Sequence, residues 1–313
     1  MVSIPARRTG LLLLAFATAC GSTPSGSTPP GDTTALFEET FQDSSFADRG
    51  WYDLLNGTVG PIVADSGVPG GHALVVHFAP GATAPVRARH LFTPTPSVYL
   101  RYWVRYSANW VGSGKPYHPH ELHFLTTADD QYVGPSYTHL TVYVEHNYGA
   151  DGGYPQLAVQ DAANIDTTQI GVDLTHVTEQ RAVSGCNGVS DGAVPDCYQS
   201  NGQYFNDKHW RAAGPAFLPG PAADDQTHWH EVEAYFQLNS ITNGKGLPDG
   251  VAQYWFDGQL IIDRHDAMFR TGAHPDMQFN QFLLAPYIGD GAPVDETAWI
   301  GDLLVATARP DSS

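Results

Sequence analysis

Short runs of alternating apolar and polar residues recur along this chain, and glycine and proline break almost every one of them. A period of two places successive side chains on opposite faces of an extended strand, whereas an amphipathic helix needs a period near 3.6. The 32 glycines and 23 prolines leave no window long enough for a convincing helix. In "VYLRYWVRY" (98–106), Val98, Leu100, Tyr102 and Val104 share one face, opposite Tyr99, Arg101, Trp103 and Arg105. In "THLTVYVEH" (138–146), Leu140, Val142 and Val144 oppose His139, Thr141, Tyr143 and Glu145. In "HEVEAYFQL" (230–238), Val232, Ala234, Phe236 and Leu238 oppose Glu231, Glu233, Tyr235 and Gln237. The run "AQYWFDGQLII" (252–262) reads as two strands joined at Asp257-Gly258, a turn pair that accepts positive φ. Many strands with no helical spacing predict an all-β sandwich of two antiparallel sheets.

The first 35 residues read differently. Arg7 and Arg8 precede a short apolar run, Leu11 to Ala19, that is too short to span a bilayer. Residues 1–20 therefore read as a secretion signal. Cys20 follows small residues, as in a bacterial lipobox, and is expected to carry a lipid that becomes the membrane anchor. Residues 21–35 are rich in Ser, Thr, Pro and Gly and form a flexible linker, leaving residues 36–310 for the folded domain. With export, Cys186 and Cys197 are the pair expected to form a disulfide. The expected location is the bacterial cell envelope or the extracellular space.

The formal charge is −18, which argues against nucleic acid as a partner. Yet no Asp or Glu occurs from Ser66 to His120, a stretch that holds Arg87, Arg89, Arg101, Arg105 and Lys115. Trp103 stands between two arginines on a strand face where Thr, Lys, Glu or Ser would suit plain solvent better. Sugar rings stack on aromatics through their C–H faces, and arginine grips carboxylates with a two-pronged fork. These features point to a glycan-binding face.

The stretch "GSGKPYHPHELHF" (112–124) crowds three histidines, a lysine and a glutamate together. "HELH" is one residue short of the metalloprotease motif, and Pro119 denies it the helix that motif needs. On an extended chain His118 and His120 share a face, and Glu121 and His123 point to the other. A zinc site would need further ligands. Two readings stay open: the rim and floor of a groove, with Lys115 and His118 at its edge and Glu121 and His123 within it, or a packed histidine bonded to Glu121 in a turn.

Several segments in order, "HWHEVEAYFQLNS", "PDGVAQYWFDGQLII", "AMFRTG", "MQFNQFLLAPYIG" and "TAWIGDLLVAT", resemble the concanavalin A-like jelly roll of alginate and glucuronan lyases. The resemblance extends to "YLRYWVRYSANWVGSGKPYHP", where Lys115 takes the place of a groove lysine. It covers roughly residues 36–310. It implies a jelly-roll β-sandwich that cleaves an acidic glycan by β-elimination with no required cofactor. The lyases' next groove strand carries serine, arginine and paired tyrosines; here that strand offers Ser136, His139 and Tyr143 and no arginine. A β-glucanase-type Glu-x-Asp-x-x-Glu strand is absent. Jelly rolls of this type often hold a structural calcium near the chain ends, for which Glu39, Asp43 and Asp302 are the candidates; Asp161, Asn164 and Asp166 form a second oxygen-rich turn.

Lyase chemistry assigns roles. Arg101, Arg105 and Lys115 would neutralise a uronate carboxylate, His139 would act as base, and Tyr143 would donate to the leaving oxygen. Glu121, Glu145 and Glu233 would instead serve hydrolysis. Tyr235 and Trp103 complete the expected binding face. Two readings from other classes stay open: a non-catalytic carbohydrate-binding module, and a structural surface protein with a blocked groove. The partner is a polysaccharide, the membrane is met only through the lipid, and the chain is expected to be a monomer.

Overall fold

The computed structural model describes residues 33–115, 119–126, 141–160, 199–200, 203–204, 209–220, 225–267, 269–270 and 275–310. Contacts divide the chain into Met1–Gly31 and Asp32–Ser313, and every described residue lies in the second unit. Cys20, His118, Ser136, His139, Asp161, Asn164, Asp166, Cys186 and Cys197 fall outside the described residues. No helix among the described residues is long and apolar enough to cross a membrane.

Two large antiparallel sheets form the sandwich. The first runs, in spatial order, β17 (Gln259–Ala267), β16 (Gly250–Phe256), β13 (His230–Gln237), β6 (Ser97–Tyr106), β19 (Glu296–Ala306), β4 (His72–Phe78) and β3 (Ile62–Ala64), and β1 (Ala35–Glu39) also pairs with β19. The second runs β12 (His209–Arg211), β9 (Gly152–Gln160), β8 (Thr141–Gly149), β7 (His120–Leu125), β18 (Phe279–Tyr287), β5 (Ala88–Thr95) and β2 (Trp51–Tyr52). Two small hairpins complete the list: β10 (Gln199–Ser200) with β11 (Gln203–Tyr204), and β14 (Ile241–Thr242) with β15 (Lys245–Gly246).

The alternation read from the sequence sets the faces. Val98, Leu100, Tyr102 and Val104 of β6 are buried inward, as are Val232, Ala234 and Phe236 of β13. Val142 and Val144 of β8 meet them from the second sheet, with Leu122, Phe124, Phe282 and Leu284. Each of the Val, Leu and Phe side chains contributes about 1.5–3 kcal/mol by leaving water. The β16–β17 hairpin turns at Asp257 and Gly258, with φ of 48° and 76°. The Asp257 carboxylate also fixes the neighbouring strand, accepting from the Glu231 amide at 2.9 Å and pairing with His230 Nδ1 at 2.9 Å.

Consecutive strands β5, β6 and β7 alternate between the two sheets. This corrects one expectation. Arg101, Trp103 and Arg105 face outward from the first sheet, whereas Tyr143 and Glu145 face outward from the second. The thickness of the sandwich separates them, so they do not line one groove. The calcium expectation fails for a related reason. Glu39 accepts from Arg49 and from Trp51 Nε1, Asp43 pairs with the same Arg49, and Asp302 pairs with Arg101 at 2.9 Å on the first sheet's outer face. The three carboxylates are each engaged by arginine and do not converge. Among the described residues no group of three or more His, Cys, Asp or Glu is placed to hold a metal ion.

Candidate functional site

The outer face of the first sheet is a set of closed pairs. Arg105 binds Asp65 at 2.9 Å and lies over the rings of Trp299 and Trp229, at 4.4 and 5.2 Å. Glu233 takes Arg309 at 2.7 Å and the Tyr99 hydroxyl at 2.5 Å. Burial works against the Glu233 charge, but these bonds more than offset it and its pKa is lowered. Glu231 shifts the other way, raised by burial and by the Glu233 charge. Tyr235 donates to Gln237 at 2.9 Å, and Trp103 is half-buried between Glu231 and Gly301 on the flanking strands. The arginines expected to grip a substrate carboxylate are thus already neutralised by the chain's own acids.

The outer face of the second sheet is different, and a β-bulge shapes it. On β7, His120 pairs with Glu145 of β8 and Leu122 with Val144, so two residues of β7 advance against one of β8. The extra residue changes the parity of "HELH". His120 and His123 come to the same outward face, and Glu121 turns into the core with Leu122. The expectation that Glu121 and His123 share a face is therefore wrong.

Inside the sandwich Glu121 accepts from the Tyr102 hydroxyl at 2.9 Å and from the Tyr106 hydroxyl at 2.5 Å. His146, fully buried, lies 2.6 Å from the Tyr106 oxygen through Nδ1 and 2.7 Å from Tyr254 through Nε2. One arrangement gives every one of these protons an acceptor: Tyr254 donates to Nε2, Nδ1–H donates to Tyr106, and Tyr106 and Tyr102 donate to Glu121. Burial and the Glu121 charge push the Tyr102 and Tyr106 hydroxyls well above the usual tyrosine range, which keeps them donors. Glu121 is a core anchor, not a groove residue.

Outward, side chains from adjacent strands form two transverse rows. The first crosses Arg89 on β5, Leu283 on β18, His123 on β7, Tyr143 on β8 and Ala158 on β9. Arg89 donates to Gln281 Oε1 at 2.6 Å and to Asp53 at 2.9 Å. The second row crosses Tyr287, His120, Glu145 and Gln156. His120 Nε2 meets Glu145 at 2.8 Å, and Gln156 donates to the other Glu145 oxygen at 2.5 Å. The Tyr143 ring lies 4.5 Å from that of His120 and 5.1 Å from that of His123. Lys115 sits past the end of the sheet and pairs with Asp290, three residues beyond β18.

These outward groups are nonetheless buried: Arg89 3%, His123 4%, Tyr143 2%, Glu145 1% and Gln281 0% exposed. Burial opposes the Glu145 charge, but the His120 charge and hydrogen bond outweigh it, and Glu145 falls to about 2. Burial, aided by the His120 charge, pushes His123 down to about 3, so its imidazole is neutral at ordinary pH. His123 Nδ1, Thr141 Oγ1 and Asn147 Oδ1, all on this face, have no hydrogen-bond partner. Buried polar atoms are rarely left so. The sequence reading had Tyr143, Glu145 and His123 but missed Arg89, Gln281 and His120. Arg89 was visible in the acid-free stretch, while nothing local marked Gln281.

The sequence matches no protein-family model and no curated protein. Solved structures do match. A marine PL-14 alginate lyase from Aplysia kurodai aligns with a TM-score of 0.54 and 14% identity, over 88% of this chain and all of that one. A mutant of alginate lyase Aly36B in complex with an alginate trisaccharide aligns with a TM-score of 0.50 and 12% identity, over 88% of this chain and 99% of that one. An endo-β-1,4-glucuronan lyase from Trichoderma reesei gives 0.45 and 13%, over 88% and 96%. The described residues form the concanavalin A-like jelly roll that the alginate lyases share.

Proposed function

We propose that this protein is a polysaccharide lyase that cleaves an acidic, uronate-containing glycan by β-elimination on the outer face of the second sheet. One observation carries the proposal: a cation, an amide, a neutral imidazole and a phenol sit together on adjacent strands of a fold shared with alginate lyases. Arg89, which Asp53 and Gln281 Oε1 hold in place through Nε and Nη1, would share its charge with the uronate carboxylate and, with Gln281, stabilise the charge that spreads into it as the α-carbon loses its proton. His123 takes that proton on Nδ1, which is buried and has no hydrogen-bond partner. The pair of electrons left behind forms the C4–C5 double bond and expels the glycosidic oxygen, to which Tyr143 donates. His120, held by Glu145, lies beside the Tyr143 ring and orients it. His139, the base expected from sequence, lies outside the described residues, and this assignment places its role on His123.

The test is to incubate the purified protein with alginate, glucuronan and neutral glucans and follow the ultraviolet absorbance of the unsaturated uronate. Absorbance that rises with the acidic glycans alone supports the reading. Tight binding of a uronate glycan with no turnover moves the protein to the binding-module reading. Export by residues 1–20 and anchoring at Cys20 belong to the same proposal. A Cys20→Ala protein that still fractionates with membranes would refute the anchor.

A further inference from the structure

Resting on that reading, we infer that Arg211 and Tyr154 form a distal subsite that holds the carboxylate of a second uronate, away from the reacting one. Most described arginines of this acidic chain meet an acid: Arg49, Arg87, Arg89, Arg101, Arg105, Arg264 and Arg309 all form ion pairs. Arg270 is taken up by backbone carbonyls. Arg211 has neither kind of partner among the described residues. It is exposed, and its guanidinium lies 4.0 Å from the centre of the Tyr154 ring. Asp151 accepts the Tyr154 hydroxyl and makes no ion pair with Arg211.

Position gives this pair its meaning. On β12, Trp210 packs into the core opposite Leu157, so Arg211 points outward beside Gln156. Arg211 therefore extends the second transverse row, next after His120, Glu145 and Gln156. Five strand spacings separate β12 from β5, which carries Arg89, about 24 Å across the sheet. That span covers several sugar units, so a carboxylate on Arg211 belongs to a unit farther along the same chain. Stacking on tyrosine holds the guanidinium flat and leaves its edge donors for a two-pronged grip on a carboxylate. A neutral sugar offers no such group. A glycan lying across the strands would thus be read at two carboxylates, by Arg89 at the reacting unit and by Arg211 farther along.

Equilibrium binding measured by calorimetry tests this without requiring turnover. The probes are a uronate hexasaccharide and its carboxyl-reduced, neutral counterpart. The expected result is that wild-type protein prefers the acidic hexasaccharide and that Arg211→Ala lowers this preference about tenfold with an unchanged Tm. Tyr154→Leu, which removes the ring, should lower it in the same direction. Trp103→Ala, on the opposite face, should leave it unchanged. If wild-type protein binds the acidic hexasaccharide and Arg211→Ala binds it as tightly, the subsite is refuted while the lyase reading stands. If wild-type protein binds neither probe, both fall together.

Discussion

The two outward faces of this sandwich carry similar residue types and satisfy them to different degrees. On the first sheet Arg101, Arg105 and Arg309 each find an acid, and two of them also lie on tryptophan rings. Arg101 Nε and Arg105 Nε lack hydrogen-bond partners there, but Arg101 Nε lies 3.9 Å from Glu231 and the Nη2 of each guanidinium is ion-paired. On the second sheet Arg89 likewise pairs with Asp53 and His120 with Glu145, but single-purpose acceptors and donors such as His123 Nδ1 and Asn147 Oδ1 are left without hydrogen-bond partners. An unmet buried polar atom costs about 1–3 kcal/mol. The first face is thus closed by charge pairs, whereas the second combines closed pairs with unmet polar atoms, and the proposed site rests on that difference.

The largest expected effects test which face is which. Replacing His123 by Ala or Tyr143 by Phe should lower turnover on a uronate glycan by about 10²–10⁴, the usual contribution of a positioned acid or base. Trp103→Ala should leave turnover within about twofold. Steady-state kinetics decide this, and the reverse pattern would move the site to the first sheet.

The next effect is on stability. Glu121→Ala removes the acceptor of two buried tyrosine hydroxyls and should cost about 3–5 kcal/mol in urea unfolding. Asp302→Ala breaks a partly exposed pair with Arg101 and should cost about 1 kcal/mol or less. Equal losses would mean that the inner network contributes no more than a surface ion pair.

These differences were only partly legible in the sequence. Period-two alternation correctly places the inward residues of β6, β8 and β13, because a strand's parity is a local property. The Asp257-Gly258 turn was legible for the same reason. Parity failed at "HELH", where one bulged residue moves Glu121 into the core and His120 beside His123. Sheet membership is not local at all: β6 and β8 look alike in pattern, and only the crossing of the chain between sheets separates Trp103 from Tyr143. Gln281 joins Arg89 across 192 positions of sequence, a pairing that spacing does not announce.

The smallest effects lie in the pH dependence of stability, where two groups of opposite habit overlap. His123 titrates near 3 when folded against 6.5 when free, because burial disfavours its charge. The unfolded chain therefore binds one more proton between those values, and stability from this group rises with pH across that window. Glu296 does the reverse. Burial raises it from 4.5 to about 7, although Oε2 accepts from the Val111 and Gly112 amides at 2.7 and 3.2 Å, and its Oε1 has no partner. Here the folded state binds the extra proton, and stability falls as pH rises from 4.5 to 7. Between pH 4.5 and 6.5 the two slopes, each about 1.4 kcal/mol per pH unit at full strength, oppose one another. Wild-type stability should be nearly flat there as far as these groups act. Below pH 4.5 it should fall steeply, because Glu145, lowered to about 2, adds its own loss as it is protonated. Glu296→Gln keeps an acceptor for the two amides and should unmask a rise in stability from pH 4.5 to 6.5. His123→Leu should unmask the opposite, a fall from pH 4.5 to 7. Urea unfolding at half-unit pH steps reads both slopes. Parallel profiles for wild type and His123→Leu would show that burial does not depress the His123 pKa.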